Sequence, residues 1–200
     1  MRLYNDATSP FGRKILVAVA ERAIPLDEVI IDVYSPGPLD AHNPLRQIPT
    51  LVTDEGEALY DSDVILLYLD STHDGPPLVP DDECWATLTR TSLGNGLIES
   101  VLNRIMEVKR ADGEQSPGFI SKMEDRIARA LAGLEEVAGA LSADTLRVDD
   151  ITIACALEYT DFRYSEEWRN DCPTLAAWHE AIAARPSMTE SVPARTVSPG

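Results

Sequence analysis

The chain has 200 residues, 44% of them apolar, with 34 acidic against 17 basic side chains and a formal charge of −17. This is enough apolar material for one large or two small domains, and the acidic balance argues against a non-specific nucleic-acid surface or an anionic-membrane binder. No apolar run approaches membrane-spanning length and the N-terminus lacks the basic-then-apolar pattern of a signal peptide, so a cytoplasmic protein is expected. Cys84, Cys155 and Cys172 are odd in number and widely spaced, which fits a reducing compartment. His42, His73 and His179 are isolated and there is no glycine-rich phosphate loop, so neither a metal nor a nucleotide cofactor is expected.

In chain order, residues 2–5 read as a short strand. Ser9 and Pro10 then form a strong helix start, with a capping side chain followed by proline at the first helical position. Phe11, Ile15, Ala18, Val19 and Arg22 recur at helical spacing to about Ala23, and Ile24-Pro25 is a stop signal. Residues 28–33 are mostly apolar and β-branched and read as a second strand. A strand–helix–strand unit this compact is most often a parallel crossover, so these two strands should lie parallel. Residues 34–42, with Pro36, Gly37 and Pro38, form an irregular link with a helical turn.

Residues 43–64 organise the chain. Residues 50–53 and 58–60 are β-prone runs separated by Asp54-Glu55-Gly56, which reads as an antiparallel hairpin, and Ser62 starts a helix through residue 70. Pro49 cannot donate to a ladder, which leaves the backbone around Ile48 open to an extended peptide. The N-terminus of the Ser62 helix presents unpaired N–H groups that favour a carboxylate. A peptide edge beside an anion hole points to a small acidic peptide. The first part is therefore a βαβ–ββα domain with a mixed four-stranded sheet, over residues 1–75, followed by a proline-rich linker over 71–81.

Beyond it only helical patterns remain, predicting an all-α bundle over 82–188 and a loosely docked tail over 189–200. Phe119, Ile120, Met123, Ile127, Ala130, Leu131, Leu134, Ala138 and Leu141 keep one apolar face. Residues 151–157 are apolar or small nearly all round, marking a buried helix. Pro173 opens another through Leu175, Trp178 and Ile182.

With these elements in order, the chain resembles the cytosolic glutathione S-transferases, with a thioredoxin-like N-terminal domain and a helical C-terminal domain. Residues 9–14 are similar to the serine-type active-site turn, residues 43–49 to the segment carrying a cis-proline, and Asp61-Ser62 to the γ-glutamyl site. Residues 157–163, Trp178 and Arg185-Pro186-Ser187 resemble the far end of the short bacterial, YibF-like branch. The resemblance implies glutathione as co-substrate, a small hydrophobic electrophile as second substrate, and a homodimer. It implies Ser9 as the catalytic residue and Phe11, Arg46, Gln47, Ile48, Pro49, Asp61 and Ser62 as glutathione-binding residues. The Ile48 backbone would pair with the cysteinyl part, and Ser62 would hold the γ-glutamyl carboxylate with Asp61 near its amine. The electrophile pocket would lie between the domains near Leu102, Arg104, Met106, Tyr159 and Phe162.

A free thiol has a pKa of about 8.5, and each unit of depression takes about 1.4 kcal/mol of preference for the thiolate. A hydroxyl donated to an anion contributes roughly 1.5–3 kcal/mol and a helix N-terminus roughly 0.3–1, so Ser9 could lower the pKa by about one to three. Three positions depart from the family pattern. Arg46-Gln47 stands where Gly-Lys is common, so the cation for the glycyl carboxylate is either shifted to Arg46 or missing. Asp61 replaces a longer Glu or Gln, and Arg147 replaces a helix-capping Ser or Thr, with Asp149 as the substitute cap. Tyr4, inside the first strand, is expected to pack. Two alternatives stand beside the transferase. One is a glutathione-dependent reductase, lyase or isomerase using the same site, and the other is a binding or regulatory module that kept the fold without catalysis. A thiol exchanger of the glutaredoxin kind is disfavoured, since Ser9 stands where such proteins have a nucleophilic cysteine.

Overall fold

In a computed structural model, residues 1–35 and 37–193 are described. They divide into two compact units: one contains residues 1–78 together with the described residues from Arg185 to 193, the other residues 79–184.

The first unit opens with β1 (Arg2–Asn5), α1 (Pro10–Glu21) and β2 (Asp27–Ile30). A one-turn 3-10 helix then leads to β3 (Thr50–Val52), β4 (Ala58–Leu59) and α2 (Ser62–Thr72). The sheet order is β2-β1-β3-β4. β1 and β2 are parallel, and β3 runs antiparallel to both β1 and β4, as the crossover and hairpin signals predict. Alternation along β1 splits the core by face. Leu3, opposite Leu51, is fully buried, while Tyr4 packs with Ile31 and Leu39 in a cluster bordered by Val29, Ile48 and Val52. Tyr4 also stacks on His42, so its role here is packing.

Several boundaries differ from the sequence expectation, each for a local reason. β2 stops at Ile30 because β1 offers no register partner beyond Asn5, and Asp32 then bends the chain by accepting the Tyr34 N–H. α2 starts at Ser62 as expected but runs on to Thr72, and Asp61 is its cap, its carboxylate accepting the Asp63 N–H. Residues 73–78 are fastened by side chains, since Arg22 reaches Asp70 and the carbonyls of His73 and Pro76 while the Leu78 N–H donates to Asp70. Gly12 is required by a close approach, because a Cβ there would sit 1.7 Å from the Asn5 side chain.

A short helix, α8 (Pro186–Glu190), spans the expected boundary between the bundle and the tail over 189–200, and is placed after the helices of the second unit described below. Buried Arg13 donates to the Met188 carbonyl and to Ser191, and Glu21 pairs with Arg185 and accepts from Ser187, so α8 is docked on α1. Residues 194–200 of that tail lie outside the described residues.

The second unit contains α3 (Cys84–Val108), α4 (Pro117–Val137), α5 (Val148–Arg163), α6 (Trp168–Asp171) and α7 (Pro173–Ala183). α3 packs on both α4 and α5. α5 is buried without a break from Val148 to Leu157, the all-round apolar pattern having marked it as the core helix. Gly94 lets α3 approach it: a Cβ there would meet Thr152 and Ile153 at 3.0 and 3.2 Å. At the start of α5, Arg147 offers no cap. Asp150, not Asp149, fills the role by reaching back to the Arg147 N–H at 2.9 Å and accepting the Ser142 N–H at 2.8 Å. Asp149 is instead held by Arg90.

Candidate functional site

The proposed glutathione site is assembled from three segments of the first unit. The first is the start of α1. Ser9 is half-buried and extended, and its Oγ accepts the Gly12 N–H at 3.2 Å. Capping occupies a lone pair of the hydroxyl and leaves its proton available for donation. Helix capping and thiolate stabilisation are therefore compatible in one side chain.

The second segment is the approach to β3. The Ile48–Pro49 peptide bond is cis. The β1–β3 register ends at Thr50, so the Ile48 backbone lies outside the ladder. Buried Asn43 shapes this segment, donating to the Gln47 carbonyl and the Thr50 hydroxyl while accepting the Leu45 N–H. Arg46 has φ +52°, a left-handed conformation that glycine adopts without penalty. Its guanidinium is held by both Asp40 oxygens, at 2.6 and 3.0 Å. Arg46 is thus a paired cation on the surface, and Gln47 is exposed and uncharged.

The third segment is the start of α2. Asp61 is exposed and Ser62 buried. Among the described residues, the Ser62 and Val64 N–H groups have no protein acceptor. Beneath Ser62 lies a group the sequence reading missed: the Lys14 side chain is wholly buried, its Nζ 3.1 Å from Ser62 Oγ and 2.6 Å from Asp63 Oδ1. Phe11 sits close to this ammonium, its ring centroid 5.8 Å away. A signal existed, since Lys14 shares its helix face with buried Pro10, Val17 and Ala18 at positions i−4, i+3 and i+4.

The five electrophile-pocket candidates all belong to the second unit, on α3 and α5. Leu102 and Met106 are one turn apart on α3, and Tyr159 and Phe162 one turn apart on α5. Tyr159 is buried, and the Arg163 guanidinium covers the Phe162 ring at 3.9 Å. Arg104 lies two residues from Leu102 and from Met106, hence on another side of α3, where it pairs with Glu124 at 2.8 Å and stacks over Tyr164. A groove of about 680 Å³ on α3 and α4, lined by Trp85, Leu88 and Arg129 among others, contains none of the five. Among the described residues no three His, Cys, Asp or Glu side chains are gathered as a metal site would need, and no helix is long and apolar enough to cross a membrane.

Comparison with known proteins agrees with this architecture. The profile of the glutathione S-transferase N-terminal domain matches residues 3–77, and that of the C-terminal domain matches residues 108–181. The chain belongs to the glutathione S-transferase family. It is 31% identical to the uncharacterized GST-like protein YibF of Escherichia coli K12, over 96% of this chain and 98% of that protein. Among solved structures, a glutathione transferase family member from Pseudomonas fluorescens Pf-5, with bound glutathione, is 38% identical with a TM-score of 0.89, covering 96% of this chain and 98% of that one. A glutathione S-transferase from Methylobacillus flagellatus KT, also with glutathione bound, is 31% identical with a TM-score of 0.90, covering 96% and 99%.

Proposed function

We propose that this protein is a glutathione S-transferase that binds glutathione in its N-terminal unit, stabilises the thiolate with Ser9 and transfers it to a small hydrophobic electrophile. The observation that carries this reading is the Ser9 hydroxyl at the head of α1, which caps the helix with its oxygen and keeps a proton to donate. The Ile48 backbone, outside the ladder before cis-Pro49, can pair with the cysteinyl part as an added strand. Ser62 and the open N–H groups of α2 receive the γ-glutamyl carboxylate, with Asp61 beside its amine and Phe11 lining the site. The bound glutathione of the two bacterial relatives supports this ligand. In the step itself, sulfur attacks the electrophilic carbon and a carbon–sulfur bond forms as the leaving group departs or the conjugated π-electrons shift. The thiol proton is lost to solvent before attack.

Leu102, Met106, Tyr159 and Phe162 remain the proposed apolar contacts of the electrophile, while Arg104 is better read as an α3–α4 tie. Homodimerisation is proposed as well. Trp85, 82% exposed beside the α3–α4 groove, is the kind of surface a second copy would cover. A cytoplasmic location is proposed on the cysteine usage.

Calorimetric titration with reduced glutathione tests the binding, and ultraviolet thiolate absorbance together with an electrophile panel tests the chemistry. Binding in the wild type, weakened by Ser62→Ala, with thiolate formation abolished by Ser9→Ala, is the expected result; no binding at millimolar glutathione refutes it. A second reading, a glutathione-binding module without catalysis, is favoured by one observation: Asp40 pairs with Arg46, the cation expected for the glycyl carboxylate. It predicts binding with no conjugation, reduction or isomerisation of any substrate tested.

A further inference from the structure

The head of α2 carries an arrangement that its helix end alone does not explain. Asp61 and Asp63 flank Ser62 in the chain, so a carboxylate arriving at the Ser62 hydroxyl would meet two like charges. Lys14 reverses that balance from below. Its side chain has no solvent exposure, and a buried ammonium is costly unless paired and hydrogen-bonded. Asp63 Oδ1, at 2.6 Å, supplies the pairing and is thereby neutralised. Ser62 Oγ, at 3.1 Å, supplies a second contact. An ammonium only donates, so in that contact Ser62 must accept, and its own proton is turned to another acceptor.

We propose that Lys14 is a positioning residue for recognition of the ligand's α-carboxylate: it cancels Asp63, fixes Ser62 as a donor towards the ligand, and leaves Asp61 as the outward carboxylate for the α-ammonium. The inference rests on the assignment of this helix end to the γ-glutamyl group and adds what selects its zwitterion. With the Lys14–Asp63 pair balanced below Ser62 and Asp61 exposed beside it, the subsite has a donor floor and a negative rim. An α-amino acid group matches both, whereas a simple carboxylate or a simple amine matches only one.

The test compares reduced glutathione with the analogue whose γ-glutamyl α-carboxylate is a primary amide, by calorimetry, on the wild type, Lys14→Met and Lys14→Met/Asp63→Asn. The double variant removes the buried ammonium and its partner carboxylate together and guards against a fold lost to an unpaired Asp63. The wild type is expected to prefer glutathione to the amide. The double variant should lose roughly ten- to a hundredfold in glutathione affinity, the scale of one charge-assisted hydrogen bond, and little for the amide. A double variant that keeps the wild-type preference overturns the role of Lys14 while leaving glutathione binding intact. Equal losses for both ligands also overturn it, since they indicate a merely structural lysine. No glutathione binding by the wild type removes the functional reading, and this inference with it. A second measurement needs no variant: in the wild type carrying nitrogen-labelled lysine, the Lys14 Nζ resonance should shift on adding glutathione and stay in place on adding the amide, and an equal response to both refutes the proposal.

Discussion

Two helix beginnings in this protein solve the same problem with opposite charges. At the head of α5 the buried groups are carboxylates, Asp149 and Asp150, both fully buried, and the cations Arg90 and Arg147 close over them. At the head of α2 the buried group is the Lys14 ammonium, and the carboxylates Asp61 and Asp63 lie outside it. A helix N-terminus bears partial positive charge and orphan N–H groups. In α5, buried carboxylates meet that partial charge, and Asp150 takes the Arg147 N–H. In α2, Lys14 offsets Asp63, and the Ser62 and Val64 N–H groups keep open capacity for an anion. Helix ends of one chain thus separate into a structural joint and a proposed binding subsite according to the sign of what is buried beneath them.

If that distinction is right, Asp150→Ala should cause the largest change and confine it to stability. It strands the Arg147 and Ser142 N–H groups in a buried network, and a loss of about 2–4 kcal/mol is expected in denaturant unfolding, with glutathione affinity per folded molecule unchanged. Ser9→Ala should behave in the opposite way. Conjugation is expected to fall by roughly ten- to a hundredfold in kcat/KM, while the lost cap costs only about 1 kcal/mol of stability. A comparable fall in both quantities would mean that Ser9 is only a cap.

Asp150 also gives the contrast a pH signature. Burial and the neighbouring Asp149 raise its carboxyl from 3.8 to about 6. Because the folded value exceeds the unfolded one, the group's favourable contribution is complete below 3.8 and is lost as pH rises through about 6. Unfolding free energy should therefore contain a component that increases from pH 7 towards pH 5. Asp150→Asn should remove that component, which thermal or denaturant melts across this range would reveal.

The smallest expected effect concerns Arg46. Asp40→Asn removes its carboxylate partner, and if the guanidinium then reaches the glycyl carboxylate, glutathione should bind a few-fold tighter in calorimetry, with a steeper salt dependence. Unchanged affinity would mean that the glycyl end has no cation in this protein.

Much of the framework was legible because its signals are local. Ser9-Pro10 marked the start of α1, Gly56 the hairpin, and the unbroken apolar run 151–157 the central helix, each through spacings of four residues or fewer. The βαβ–ββα order then left few topologies open, and the observed sheet is among them. The candidate site was traced in outline through Ser9, Pro49 and Ser62. Its partners were less legible: Lys14 lay hidden beneath Ser62, and Asp150 replaced Asp149 as cap because position N3 can reach back to the N-cap N–H.

The sequence by itself determined the order and type of the elements, since hydrophobic periodicity and capping act within one or two turns. Tertiary structure alone decided that Lys14 meets Ser62, 48 positions away in the chain, and that Arg13 holds the Met188 carbonyl, 175 away. It also decided that Asp40 takes the Arg46 guanidinium, where a flexible side chain could have turned elsewhere. Such contacts depend on which faces the packed helices and loops bring together, and a long charged side chain carries no local sign of the partner it will find.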